Sequence, residues 1–400
     1  MKNVTILGNH DDKTIAQLHN CMKFDFAVRG ALCADGHLGY GQPIGGVVAY
    51  EDHISLSGVG FDIGCGNRAI KTNIKYSDVS REWLVNLANK IQAGISFGIG
   101  RNNADLNVEN YLFEKDSHEA WNIPHIAELK RKAQNQFGTV GSGNHYVDVF
   151  RSESDDSLWV GCHFGSRGLG HTIATHYLKA VGAKDNMDAD PAVLNIHTDH
   201  GREYLLGMDL AGAYANEARK WVLEQIAVMM GAEIVEAVSN HHNFAWNEVI
   251  DGKSCWVARK GSTPLVKGQK GFVGGSMGDI SVILSGKDMP EGLMASTIHG
   301  AGRVMSRTAA AGKTKWLAGK DGKKRPQRVT KGLVDEDAER ARLKKEGLIL
   351  IGAGADEMPE VYRPLRSVLQ AHAETVNVEE TLHPLIVAMA GANEFDPFKD

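Results

Sequence analysis

Gly60-Phe61-Asp62-Ile63-Gly64-Cys65-Gly66-Asn67 puts a carboxylate and a thiol three residues apart on a turn. Gly64 and Gly66 carry no side chains, so a metal ion or a phosphate can approach the backbone closely there, and Asp62 reaches the same point around the turn. Four more segments carry ligands beside glycine or asparagine: Gly141-Ser142-Gly143-Asn144-His145, Cys162-His163-Phe164-Gly165-Ser166-Arg167-Gly168, Asn240-His241-His242-Asn243 and His299-Gly300-Ala301-Gly302-Arg303. A histidine beside glycine is usually structural when it stands alone. Five such segments, spread from residue 60 to residue 303, act together only if the chain brings them to one place. That predicts a single large domain over residues 1–400, of α/β (α+β) class, with a central sheet-built two-metal site.

The chemistry of the ligands narrows the site. A thiolate with imidazoles suits zinc or another borderline ion, and an added carboxylate with open positions for phosphate oxygens also admits manganese. Structural zinc sites use closely paired Cys or His ligands, and the chain has no Cys-x-x-Cys. The dispersed, mixed set points to a catalytic centre. Ser166-Arg167-Gly168 adds a hydroxyl, a forked guanidinium and backbone N–H groups suited to a phosphate, and Arg303 and Arg307 repeat the theme after His299.

Elements follow from periodicity. Val47-Val48-Ala49-Tyr50 and Ile54-Ser55-Leu56 flank the turn-prone Glu51-Asp52 and predict a hairpin. Trp83, Leu84, Leu87 and Ile91 fall at helical spacing within residues 80–91, and residues 205–238 continue that pattern over two or more helices. Residues 145–150, 158–163, 254–258 and 280–284 read as strands. On the first of these, Asn144, Tyr146 and Asp148 alternate with His145, Val147 and Val149, so Asn144 and Asp148 are expected to share a ligand while His145 points elsewhere.

The N-terminus turns polar at Asp11, Asp12 and Lys13, which excludes a secretory apolar region. No apolar stretch approaches a membrane span. The five cysteines are odd in number and far apart, the pattern of a reducing compartment, and a cytoplasmic protein is expected. A net charge of −5 argues against indiscriminate binding to polyanions. Residues 313–331 run against that trend, with eight basic residues and the single acid Asp321 around Trp316. This stretch is either a local phosphate track or a solvated loop; Asp335 to Glu346 after it reads as an exposed helix.

Taken together, these motifs resemble the RtcB-type RNA ligases, from Ala34-Asp35-Gly36-His37-Leu38-Gly39 to the apolar Pro384 to Met389. The resemblance implies an RNA ligase that joins 3′-phosphate or 2′,3′-cyclic phosphate ends to 5′-hydroxyl ends with GTP and two Mn2+ ions, in RNA repair or tRNA splicing. It implies that Cys65 bridges two ions, one completed by His163 and His242 and the other by Asp62 and His145. It implies that His299 forms a covalent guanylyl intermediate, from which the nucleotide passes to the RNA 3′-phosphate. Guanylate contacts carried over in the same way are Asn144, Asp148, Asn243, Ser276, Ser281, Gly300, Ala301, Gly302, Arg303 and Tyr362. Arg167, Lys260 and Arg307 match positions that meet phosphates or the RNA backbone. Four positions depart from the family pattern: Asp148 stands for a Glu, Phe164 for a Ser or Thr, Tyr40 for a Lys, and Met389 near a Lys beside the guanine. Rival readings are a metal-dependent RNA-end phosphoesterase without ligation and a noncatalytic RNA-end-binding protein. An activating partner protein and the oligomeric state are left open, with a monomer compatible.

Overall fold

Short apolar runs without alternation, such as Leu158 to Cys162, form strands buried on both faces in the computed structural model, which describes residues 3–103, 108–183, 187, 189–318 and 324–391. Two mixed sheets dominate. The larger runs, in spatial order, Lys270–Val273, Ser281–Gly286, Val376–Gly391, Tyr146–Ser152, Ser157–Phe164, Gly66–Lys75 and Ile234–His241, with Ile349–Ala353 parallel beside Val376–Gly391. The smaller runs Asn3–Ile6, Ala27–His37, Ile44–Glu51, Lys253–Lys260 and Asn243–Ile250.

Helices Arg81–Gly94, Arg167–Ala180 and Asp199–Met230 supply Leu84, Ile91, Ile173, Tyr214, Val222 and Ile226 to the main core, where they meet Ile70, Val147, Val149 and Val160 of the larger sheet. Each fully buried side chain of this size contributes roughly 1.5–3 kcal/mol relative to exposure. Phe150, Trp159, Phe272, Ile283 and Leu382 form a second cluster with strand residues of the same sheet.

The expected helix at residues 80–91 is present as Arg81–Gly94, with the Ser80 side chain accepting from the Trp83 N–H. The expected strands are present as Tyr146–Ser152, Ser157–Phe164, Lys253–Lys260 and Ser281–Gly286. Two expectations are corrected. Residues 47–56 make two strands joined by a turn at Asp52, but no hairpin: Ile44–Glu51 pairs with Ala27–His37 and Lys253–Lys260, while His53–Ser55 turns away to pair with Val193–Asn195. Residues 205–238 hold one helix, Asp199–Met230, stopped by Gly231 in the left-handed conformation at φ 68°, and Ile234–His241 is a strand.

Asp335 caps the helix Glu336–Lys345, as expected of that exposed segment. In the basic segment, Thr314–Ala318 pairs antiparallel with Lys324–Arg328; Lys320 and Lys323 lie outside the described residues, as do the side chains of Lys315, Trp316, Lys324, Arg325 and Arg328. No helix among the described residues is long and apolar enough to cross a membrane.

The chain passes directly from one sheet to the other at His242. Ile234–His241 belongs to the larger sheet and Asn243–Ile250 to the smaller, so His242 stands on the seam between them. The N–H groups of His242 and Asn243 both donate to the Cys65 carbonyl, at 2.9 and 3.2 Å, and the Gly64 N–H donates to the Asn243 carbonyl at 2.8 Å. The loop quoted at the outset is thereby pinned to the crossover.

Candidate metal and nucleotide site

Ligand-bearing residues collect at one end of the larger sheet. Cys65 immediately precedes Gly66–Lys75, His145 precedes Tyr146–Ser152, and His163 lies one residue from the end of Ser157–Phe164, with His163 opposite both Asn67 and Tyr146. Gly66 lies flat against the next strand, where an added Cβ would sit 2.2 Å from the Asn240 carbonyl oxygen. Gly64, at φ 71°, makes the turn into it.

Two triads result: Cys65, His163 and His242, and Asp62, Cys65 and His145, each with its ligand atoms within 4.8 Å of one another. Cys65 belongs to both. Its Sγ lies 3.8 Å from His145 Nε2 and 3.7 Å from His163 Nε2, and His145 Nε2 lies 3.0 Å from Asp62 Oδ2. His145 Nδ1 donates to the Val140 carbonyl at 2.9 Å, and His163 Nδ1 donates to Asn67 Oδ1 at 2.7 Å. With an ion bound, each Nε2 would turn its lone pair to it, held by the outer support that metal-binding histidines require.

The donor set fits divalent cations. Burial raises the Cys65 thiol well above its ordinary value, and the Asp62 charge adds to that. Burial also acts to raise Asp62, but the hydrogen bond and charge of His145, with Arg167 behind, outweigh it together and bring the carboxyl to about 2. Burial and neighbouring imidazoles push His163 and His242 well below the usual histidine range, so both are neutral ligands. His242 Nδ1 is buried and has no protein partner among the described residues. A cation between these groups supplies the positive charge that a buried thiolate and carboxylate need.

His145 corrects the strand-alternation argument. The regular strand begins at Tyr146, and Gly143 at φ 70° turns the chain before it, so Asn144, His145, Tyr146 and Asp148 all line one cavity of about 630 Å³. The same cavity is lined by Asp62, Cys65, His163, His242, Asn243, Lys260, Ser276, His299, Gly300, Ala301, Gly302, Arg303, Arg307 and Tyr362. Ser281 and Arg167 stand behind the lining: Ser281 Oγ accepts from the Gly275 N–H at 3.2 Å, and Arg167 Nη1 lies 3.5 Å from His145 Nδ1.

Asp35 was given no role by the sequence, yet its fully buried carboxylate organises the cavity wall. Oδ2 lies 2.6 Å from His299 Nδ1 and accepts the backbone N–H groups of His299 and Gly300 at 2.9 and 3.3 Å. Burial opposes ionisation of Asp35, but His299 and these hydrogen bonds prevail and lower its pKa. The bond fixes the proton on Nδ1 and leaves the lone pair on Nε2, away from Asp35. The His299 ring sits 4.9 Å from that of His242, nearly edge to face at 60°, which puts it beside the triads.

Beyond His299, Arg303 stacks over Tyr362 at 5.1 Å and donates to its hydroxyl at 3.0 Å. Arg307 is paired with Asp356 and Glu357, at 3.2 and 2.6 Å. Lys260 Nζ donates to the Tyr40 carbonyl at 2.6 Å. The cationic groups are therefore held in place before any phosphate arrives.

A family model described as tRNA-splicing ligase RtcB matches residues 17–390. The chain belongs to the RtcB family. It is 28% identical over 404 residues to the RNA-splicing ligase RtcB of Escherichia coli K12, covering 92% of each chain. It is similar to the tRNA-splicing ligase RtcB of Thermococcus kodakarensis, 29% identical over 464 residues, with 94% of this chain and 91% of that protein covered. The tRNA-splicing ligase RtcB of Archaeoglobus fulgidus is 31% identical over 421 residues, covering 84% of this chain and 87% of that protein. The RtcB match takes in His299 and all five candidate ligands, and of the two sheets and the cavity lining it leaves out only the strand Asn3–Ile6, Gly391 and Asp11.

Proposed function

We propose that this RNA ligase joins RNA 3′-phosphate or 2′,3′-cyclic phosphate ends to 5′-hydroxyl ends, with GTP as the nucleotide donor and Mn2+ in both triads. Membership of the RtcB family supports the ligase class, and the convergence of two ligand triads on Cys65 beside His299 supports the chemistry. Cys65, His163 and His242 would hold one ion, and Asp62, Cys65 and His145 the other. Bound there, Mn2+ supplies Lewis-acid neutralisation of phosphate charge.

The protein's own residues account for the rest. Asp35 holds His299 in the tautomer whose Nε2 attacks the α-phosphorus of GTP; the Nε2–P bond forms, and the bond from that phosphorus to the bridging oxygen breaks as pyrophosphate leaves. Asp35 then faces the positive charge that develops on the ring. Arg303, Tyr362, Ser276, Asn243, Asn144 and Asp148 would line the guanylate, with the Gly300 to Gly302 backbone close to the phosphate; Ser281 acts through the Gly275 N–H. Lys260 and Arg307 would meet phosphates directly, and Arg167 supports His145. The guanylyl group passes to the RNA 3′-phosphate, and the 5′-hydroxyl displaces GMP.

The feature that carries this reading is the Asp35-locked His299 next to the shared thiol. Incubation with α-labelled GTP and Mn2+ should give acid-labile, comparatively base-stable label on the protein, and His299→Ala should abolish it. Label retained in His299→Ala refutes the nucleophile assignment. Release of phosphate from RNA ends without GTP would instead support a phosphoesterase.

A further inference from the structure

Asp148 is an anomaly for a group meant to meet a guanine. Its side chain is buried, and Oδ1 has no hydrogen-bond partner among the described residues. Among the described residues no Lys, Arg or His forms an ion pair with it. Across the sheet its register partner is Val387, with Met389 two residues further on. These two pack with Met277 into an apolar cluster, against which Met305 and Tyr362 also lie, and all five line the cavity beside Asp148. Flat apolar walls built largely from methionine suit a planar aromatic ring and adapt to its outline.

We propose that this slot accepts adenine at least as well as guanine, so that ATP serves alongside GTP as the nucleotide donor to His299. The argument is one of donor and acceptor matching, and it rests on the nucleotidyl-transfer reading given above. Burial raises Asp148 well above the ordinary carboxylate range, opposed only by the backbone N–H of Ala388, so the group is a carboxylic acid with one donor and one acceptor. The Watson–Crick edge of adenine offers an N6 amino donor next to the N1 acceptor, which satisfies both halves of the acid. Guanine offers two donors, N1–H and N2–H, and needs Asp148 to be an ionised carboxylate at a buried position where no ion-pair partner meets it among the described residues. In the reaction itself Nε2 of His299 bonds to the α-phosphorus of ATP, the phosphorus bond to the β-bridging oxygen breaks, and pyrophosphate leaves with the electron pair. Asp35 faces the charge left on the ring, as it does with GTP.

The test uses the full chain with Mn2+ and equal concentrations of α-labelled ATP or GTP, together with calorimetric binding of AMP and GMP. Labelling from ATP should proceed at a rate within about tenfold of that from GTP, and AMP should bind at least as tightly as GMP. Asp148→Asn presents the same donor and acceptor pair in the same volume, so it should keep AMP binding and lose GMP binding by roughly tenfold or more. The 1-deaza analogue of AMP, which lacks the N1 acceptor, should bind more weakly than AMP. A GTP preference above about tenfold, or loss of AMP binding in Asp148→Asn, overturns the assignment. If ATP and GTP both fail to label the protein, the nucleotidyl-transfer reading itself falls; label from GTP alone removes only this proposal.

Discussion

Asp35 accepts three hydrogen bonds from His299 and Gly300 through a single oxygen, so replacing it by Asn keeps the shape and removes the charge that selects the tautomer. Asp35→Asn should lower nucleotidyl transfer by on the order of 10²–10⁴-fold while Mn2+ binding persists. Its folded pKa lies below the unfolded value of about 3.9, so the ionised group stabilises the protein above that pH, and the gain is lost as pH falls through the folded pKa. Urea unfolding midpoints from neutral pH down to the acid range should therefore fall less steeply for Asp35→Asn than for wild type. Cys65→Ala removes the one atom common to both triads. It should eliminate stoichiometric Mn2+ binding and adduct formation together, at a folding cost of ~1–3 kcal/mol; equilibrium dialysis that still finds bound Mn2+ would remove the shared role. The convergence of Asp62, Cys65, His145, His163 and His242 was legible in the sequence because few residue types suit such ions and glycines framed most of them. Asp35 and Asn67 were not, because their work is done by buried hydrogen bonds that exist only once distant strands have met.

Strand segments were easier to read than their partners. The Glu51-Asp52 turn was visible, but turn residues state only that the chain reverses, and His53–Ser55 finds its ladder with Val193–Asn195. Ile234 and Val238 are four residues apart, a spacing that shares a face in a helix and in a strand alike, so the end of the Asp199–Met230 helix was invisible until Gly231 showed its left-handed conformation. Gly66 shows what a ligand-bearing strand end demands. A Cβ there would also meet His241 Cα at 2.9 Å and Arg219 Nη2 at 3.0 Å, and Arg219 itself donates to the carbonyls of Gly64 and Phe164, at 2.8 and 2.6 Å. Gly66→Ala should therefore push Ile234–His241 away, cost ~1–3 kcal/mol in thermal unfolding, and weaken Mn2+ binding by moving His242.

At the scale of the molecule, the paired strands Thr314–Ala318 and Lys324–Arg328 carry a basic run within a chain of net charge −5. Neutralising Lys323, Lys324 and Arg325 together should leave labelling of His299 nearly unchanged and weaken RNA joining. Three lost phosphate contacts would make the logarithmic salt dependence of RNA binding shallower by up to about 2; a salt slope equal to wild type would assign the segment to bulk solvent. The single-fold expectation was legible because dispersed ligands must converge, whereas their placement on a seam between two sheets was not, since no local pattern records which strands become neighbours. The position of Val376–Gly391 adds a consequence for biosynthesis. This strand lies in the interior of the larger sheet, between Ser281–Gly286 and Tyr146–Ser152, yet it follows both in the chain. Until it emerges from the ribosome, two hydrophobic strand edges wait open on the nascent polypeptide, the template on which aggregation begins. The cavity wall bearing Val387 and Met389 closes only with that late insertion, so a chain stalled before residue 376 holds the metal ligands without a finished nucleotide slot.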